Sequence, residues 1–386
     1  MDFIKKLIFL AIGASSLVFA TKVKNRKSRS TCFIRLDAIG DYVLFRSLVE
    51  EAKGNNEAQT FILIGNEQWK NLAQKLDDNI YDHFIWIDKR RLWSDFSYFI
   101  RKLKEIRQFN FELLVSSTHS RDFWFNDFFS LIVKSKYKIA SNGDNLNISL
   151  KSKRLSDLFF NELISVPEDI DFEFLKNKYF FSRVFKMDFF ISKPKILLED
   201  KIKNALPPKY AVINIGASNP KRKWAWQNYA SLIKLLNSKY KLSIVLCGGP
   251  GDRDDGKKIE KEVGNLVHNL VGKTSLYELL QVLERSNFLV SNETSAPHMA
   301  VALGVKQIFV ISNGNHYQRF TPYPKSIFKN YHPIYHEGVR LQGVLAKDMF
   351  KYESNLDINE VPVSKVFNEI ERYQTIGPEL EKEVRY

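Results

Sequence analysis

The chain has 386 residues, enough for two domains plus appendages at about 100–200 residues per domain, and its 44% hydrophobic content allows a sizeable core. Glycine (17) and proline (12) are not enriched, which excludes a fibrous or low-complexity chain. The 58 basic and 44 acidic side chains give a formal net charge of +14, which draws the surface to phospholipid, phosphorylated glycolipid, nucleotide or nucleic acid without choosing among them.

In chain order, the first element is the apolar run Leu7 to Ala20. Lys5 and Lys6 precede it, and Lys22, Lys24, Arg26, Lys27 and Arg29 follow it. It falls short of the ~20 apolar residues of a full span. A signal peptide ending at Phe19-Ala20, a short signal anchor and an interfacial helix all fit. The dense basic flank favours a cytoplasmic location for that flank, so residues 1–29 read as a membrane-associated segment. A strand–helix alternation then starts. TCFIRL (31–36) is a strand, and a helix follows from Asp41 to Lys53, closed by Gly54. TFILIG (60–65), FIWID (84–88) and FELLVSS (111–117) are strands, and Asp122 to Val133 is an aromatic helix. This rhythm predicts a parallel sheet covered by helices.

Residues 141–208 are less regular, and prolines 194, 207 and 208 place an interdomain link near 191–208. A second series follows. AVINIG (211–216) is a strand, and Tyr229, Leu232, Ile233 and Leu236 share one face of a helix over 227–240. LSIVLCGG (242–249) is a strand, and Ser275 with Glu278 forms a capping box opening a helix. FLVSN (288–292) and KQIFVIS (306–312) are strands around a short helix, Pro297 to Leu303, ended by Gly304. The tail carries an amphipathic stretch, Val361 to Tyr373. The expected division is a segment 1–29, an α/β domain 30–195, an α/β domain 209–330 and a tail 331–386 that packs back. Cys32 and Cys247 lie in apolar strands without metal-ligand spacing, which fits a reducing compartment.

Four stretches at strand ends could carry chemistry, because ligands of open α/β sheets bind beyond the carboxyl ends of the strands. In RLDAIGDYVL (35–44), Asp41 sits at a helix start, where capping alone also favours a carboxylate. In NIGASNPKRKWAW (214–226), Lys221, Arg222 and Lys223 form a cationic loop suited to a diphosphate, or simply a solvated one. In CGGPGDRDD (247–255), Asp252 could face a ribose hydroxyl, with an ordinary loop as the plainer reading. In VSNETSAPHM (290–299), Glu293, Thr294 and Ser295 lead into a helix start near Ala296, whose free N–H groups make an anion cradle. His298 in its first turn is either a donor or a packed core histidine. The Asp-x-Asp strings at 169–171 and 252–254 lack a strand-end setting for Mg²⁺.

Together and in this order, these stretches resemble glycosyltransferase family 9, the bacterial lipopolysaccharide heptosyltransferases. The resemblance spans about residues 31–312 and is strongest from Ala211 to Ser312. It implies the GT-B fold, α/β with two Rossmann-like doubly wound domains facing across a cleft. It also implies inverting sugar transfer without metal or cofactor. Asp41 takes the general-base position. Arg222 stands where the family usually has lysine against donor phosphate, flanked by Lys221 and Lys223. Glu293, Thr294 and Ser295 replace an Asp-Thr-Gly-like turn, Asp252 matches a ribose contact, and His119 and Arg121 lie where relatives bind acceptor. The implied partners are a nucleotide-sugar donor (ADP-heptose, or another nucleotide hexose in surface-glycan synthesis), a lipid-linked saccharide acceptor such as lipopolysaccharide core, and an anionic membrane surface, with no nucleic acid. The implied location is cytoplasmic, peripheral or N-terminally anchored at the inner membrane. An NAD-linked oxidoreductase would need Gly-x-Gly-x-x-Gly, and GGPGD has the wrong spacing. A non-enzymatic nucleic-acid- or glycan-binding protein is the other alternative, but the cations are spread, with local clusters only at Lys134 to Lys138 and Lys151 to Arg154.

Overall fold

The computed structural model describes residues 11–12, 30–199 and 206–376. The apolar run Leu7 to Ala20 and its basic flank therefore lie, apart from Ala11 and Ile12, outside the described residues. Among the described residues no helix is long and apolar enough to cross a membrane. The chain divides into two compact units, Met1–Ile191 and Ser192–Tyr386.

In the first unit the strands are β1 (Ser30–Arg35), β2 (Thr60–Asn66), β3 (His83–Ile87), β4 (Phe111–Ser116), β5 (Ser135–Ser141) and β6 (Glu162–Ile164). They form one sheet in the order β3-β2-β1-β4-β5-β6, parallel throughout. The main helices are α1 (Ile39–Gly54), α2 (Lys70–Leu76), α3 (Phe96–Ile106), α4 (Phe128–Ile132), α5 (Leu150–Asp157) and α6 (Glu173–Phe185). β1 is buried along its whole length because helices cover both faces, as a central parallel strand requires. Cys32 and Ile34 enter a layer with Phe99, Ile106 and Phe128. Phe33 points the other way, edge-on to Phe61 at 4.9 Å and stacked on Phe181 of α6 at 6.2 Å.

Three local expectations change. Helix α1 starts at Ile39 with Ala38 as its N-cap, so Asp41 lies within the first turn instead of opening the helix. Gly54 is the last helical residue, and Asn55 is the C-cap. The aromatic helix expected from Asp122 begins as a π-helical stretch, Phe123–Asp127, before α4. The irregular middle contains α5, β6 and α6. Glu173 and Asn177 occupy buried positions of α6 and interrupt its apolar period; both answer a buried arginine described below.

The second unit repeats the plan with β7 (Tyr210–Asn214), β8 (Ser243–Cys247), β9 (Val267–Asn269), β10 (Leu289–Asn292), β11 (Ile308–Ser312) and β12 (Tyr331–Tyr335). Their order is β12-β11-β10-β7-β8-β9, again parallel. Its main helices are α7 (Trp226–Tyr240), α8 (Arg253–Val263), α9 (Leu276–Glu284), α10 (Ser295–Leu303) and α11 (Val363–Ile376). Tyr229, Leu232, Ile233 and Leu236 of α7 are all buried. Ser275 and Glu278 close both bonds of the capping box. Gly304 ends α10 at φ +75°, a left-handed conformation that glycine adopts without a Cβ penalty. Two parts of the tail belong to this unit: β12 is its edge strand, and Val366 and Ile370 of α11 enter its core beside α7.

Candidate active site

Each sheet has the doubly wound order in which the chain reverses direction beside its first strand, the place where sheets of this kind bind ligands at the strands' carboxyl ends. The reversal falls between β1 and β4 in the first unit and between β7 and β10 in the second. Asp41 follows β1. Arg222 follows β7, and Glu293 follows β10.

In the first unit the organising group is Arg35, the last residue of β1 and fully buried. A guanidinium there must be met by acceptors on several sides. Its Nη1 donates to Ser117 Oγ at 3.1 Å and Asn177 Oδ1 at 3.4 Å. Three carboxylates surround it: Asp37 at 3.0 Å, Asp41 at 3.7 Å and Glu173 at 3.8 Å. Asp37 is also held by Thr118 Oγ1 at 2.7 Å. The Asp41 side chain keeps 18% of its surface accessible, so it is oriented by the arginine and still reachable. A cavity of about 680 Å³ opens beside Asp37, lined also by Asn66, Asp88 and the basic run Lys89, Arg90 and Arg91.

The two residues expected to meet an acceptor have different surroundings. His119 is partly accessible, with Nδ1 3.5 Å from Ser141 Oγ and Nε2 3.9 Å from Asp144. Gly143 crosses its carbonyl so closely, at φ +66°, that a Cβ would sit 2.1 Å from His119 O. Arg121 does not fit the acceptor expectation. It is fully buried, with Nε and Nη2 on Asp127 (3.1 and 3.0 Å), Nη1 on Asp157 (2.7 Å) and Nη2 on Ser156 (2.7 Å). Its donors are committed to the framework, where they tie α5 to the loop after β4.

In the second unit Asn292, the last residue of β10, assembles the site. Its Oδ1 accepts from Trp224 N at 3.1 Å and Tyr229 Oη at 2.9 Å, and its Nδ2 donates to the carbonyls of Ile215 and Gly216. The basic loop is thereby fixed against β10. Lys221 reaches Glu353 at 3.3 Å. Lys223 pairs with Asp252 at 2.7 Å and Asp255 at 2.8 Å; these bonds raise its pKa despite the opposing effect of burial. Arg222 bonds the Ser218 hydroxyl at 2.8 Å, and among the described residues no carboxylate contacts it, so it is the cation of the three left to meet an anion. Asp252 turns inward to Lys223 and to the Gly249 amide at 2.9 Å. Gly216 makes room, since a Cβ there would lie 2.8 Å from Asp252 Oδ2.

Glu293 is buried and accepts from Ser312 Oγ at 2.7 Å. Burial pushes its pKa up to about 7, against the opposing influence of Ser312 and Arg222. Among the described residues its Oε1 and the Nε of Arg222 have no hydrogen-bond partner. Thr294 is the N-cap of α10 without a side-chain capping bond, which leaves the first-turn amides of Ser295 and Ala296 available to an anion. His298 is a packed residue: its Nδ1 is 2.8 Å from Tyr323 Oη, and burial lowers its pKa to about 4.

Sequence reasoning missed Arg35, Asp37, Glu173, Asn177, Asn292 and Ser312. A charged residue ending an apolar strand was the available signal for Arg35, and an amide in the same position for Asn292.

Residues 183–337 match the family model "Glycosyltransferase family 9 (heptosyltransferase)". Among solved structures, the chain is similar to the E. coli heptosyltransferase WaaC with ADP-2-deoxy-2-fluoro heptose, at 15% identity and TM-score 0.68 over 89% of this chain and 99% of that one. It is also similar to a family 9 glycosyl transferase from Veillonella parvula DSM 2008, at 13% identity and TM-score 0.66 over 91% and 99%. A third match is E. coli ADP-heptose lps heptosyltransferase II, at 12% and 0.61 over 89% and 98%. At these identities the likeness establishes the fold. No curated protein matches the chain.

Proposed function

We propose, from the match of residues 183–337 to the family 9 heptosyltransferase model, that the chain is a metal-independent, inverting transferase that moves a heptose from ADP-heptose to a lipopolysaccharide core or related glycolipid acceptor. Residues 30–195 bind the acceptor and residues 209–330 the donor. The reading rests on one observation above the others: Asp41 and Arg222, which has no carboxylate partner among the described residues, each lie at the strand-order reversal of their own sheet.

In this mechanism Asp41, oriented by Arg35, removes the proton of the acceptor hydroxyl as that oxygen attacks the anomeric carbon. The bond from that carbon to the donor diphosphate breaks, and the configuration inverts. Negative charge grows on the leaving diphosphate and is offset by Arg222 and by the amides and dipole of α10. Glu293 Oε1 and Arg222 Nε, both without a hydrogen-bond partner among the described residues, are suited to a sugar hydroxyl and a phosphate oxygen. Lys223 and Asp252 shape the neighbouring wall and leave a ribose contact to the outer edge of Asp252. The solved WaaC carrying an ADP-heptose analogue supports this choice of donor. The net charge of +14 supports work at an anionic inner-membrane surface, on the cytoplasmic side.

Asp41→Asn tests the reading directly. The variant should fold and bind ADP-heptose as the parent does, while turnover falls ~10²–10⁴-fold, the worth of general-base help. Near-normal turnover in the folded variant removes Asp41 from the role of base.

A further inference from the structure

Helix α5 presents an unusual outer face. Leu150, Leu155 and Leu158 are 60%, 51% and 80% exposed, and Lys151 and Arg154 stand exposed among them. At 3.6 residues per turn these five side chains fall within an arc of about 140°. Asp157, the only acid of the helix, lies off that arc and is taken up by Arg121 and Lys153. The inner side is pinned: Ser156 is buried on Arg121, and Lys153 reaches Asn142 at 2.7 Å. These bonds anchor the inner side of the helix and turn Leu150 and Leu155 outward, with Leu158 following at the C-cap.

Two further observations concern the surroundings of this face. Just beyond the helix, Phe160 is partly buried against the large core cluster of the first unit that includes Ile34, Phe99 and Phe128. Ile12, which belongs to the apolar run Leu7 to Ala20, packs on the same cluster. The outer arc joins apolar groups, which lose water favourably, to cations, which anionic headgroups attract, and it carries no acid; such a face matches a bilayer interface better than it matches a nucleic acid.

We propose that the outer face of α5 is a membrane-docking surface that seats Leu150, Leu155 and Leu158 at the headgroup boundary of an anionic bilayer, with Lys151 and Arg154 on the lipid phosphates. This deepens the membrane placement proposed above and rests on it, but it does not depend on which sugar is transferred. It also gives Arg121 a purpose, as the group that positions α5 for docking.

The test uses the full chain with Leu158→Cys carrying a polarity-sensitive fluorophore. Cys32 and Cys247 are fully buried, and burial raises both thiol pKa values, so the label goes to position 158. With vesicles of phosphatidylcholine and phosphatidylglycerol the emission should shift to the blue, and with phosphatidylcholine alone it should not. Adding K151E and R154E should weaken binding to the anionic vesicles at least ~30-fold, at about fivefold for each cation lost near the surface. If the protein floats with anionic vesicles while the label stays water-like, the α5 proposal falls and the membrane reading stands. If it does not float, both fall. A blue shift that develops with protein concentration in the absence of lipid assigns the face to a second copy of the chain and overturns the proposal, as does an equal shift on phosphatidylcholine.

Discussion

Replacing Glu293 by glutamine should make the protein progressively more stable than the parent as pH rises. The parent carboxyl is 4% exposed and takes one hydrogen bond, from Ser312. Burial raises its pKa from 4.5 to about 7. The folded value lies above the unfolded one, so the folded state holds this proton more tightly. The resulting stability is complete below the unfolded pKa and disappears as pH climbs through the folded one. At 1.36 kcal/mol per pH unit, the interval corresponds to about 3 kcal/mol. Glutamine has the shape of the protonated acid and never ionises. The two proteins should therefore match near the unfolded pKa, and the variant should lead by about 3 kcal/mol once the parent carboxyl is fully ionised. Urea titrations followed by far-UV circular dichroism, run across this pH range, measure the difference through the midpoints. A difference that stays flat with pH would refute the argument, because it would mean the carboxyl is not held in a site that resists its charge.

Arg222→Ala should weaken ADP-heptose binding by roughly 10–100-fold, the worth of one or two charge-assisted hydrogen bonds, with little loss of stability; isothermal titration reads the affinity, and an unchanged value would remove Arg222 from the phosphate site. Arg121→Ala should cost about 3–5 kcal/mol of stability, because it strands the buried Asp127 carboxylate. A variant that keeps its melting temperature and shows only a raised KM for acceptor would restore Arg121 as an acceptor contact.

Much of the fold was legible because its signals are local. The buried runs of β1, β7 and β10 read as strands for the same reason that they are central: both faces are covered, so apolar residues dominate their middles and polar ones sit towards their ends. The face of α7, the capping box at Ser275 and the stop at Gly304 each depend on residues a few positions apart. The strands that escaped detection carry weak local signals: β6 and β9 are three-residue edge strands, β5 opens with exposed polar residues, and β12 is interrupted by His332 and Pro333.

The sequence by itself determined the α/β alternation and put the candidate carboxylate and cations at strand ends, because backbone period and strand termini are written in neighbouring residues. Only the tertiary structure decided what each charge does. Arg35 gathers carboxylates from positions 37, 41 and 173, Arg121 spends its donors on Asp127 and Asp157, and Lys223 is paired with carboxylates while, among the described residues, Arg222 is not. A buried ion's partners are chosen by which strands lie side by side, so a guanidinium that looks ready for a ligand in the chain can be fully committed in the fold.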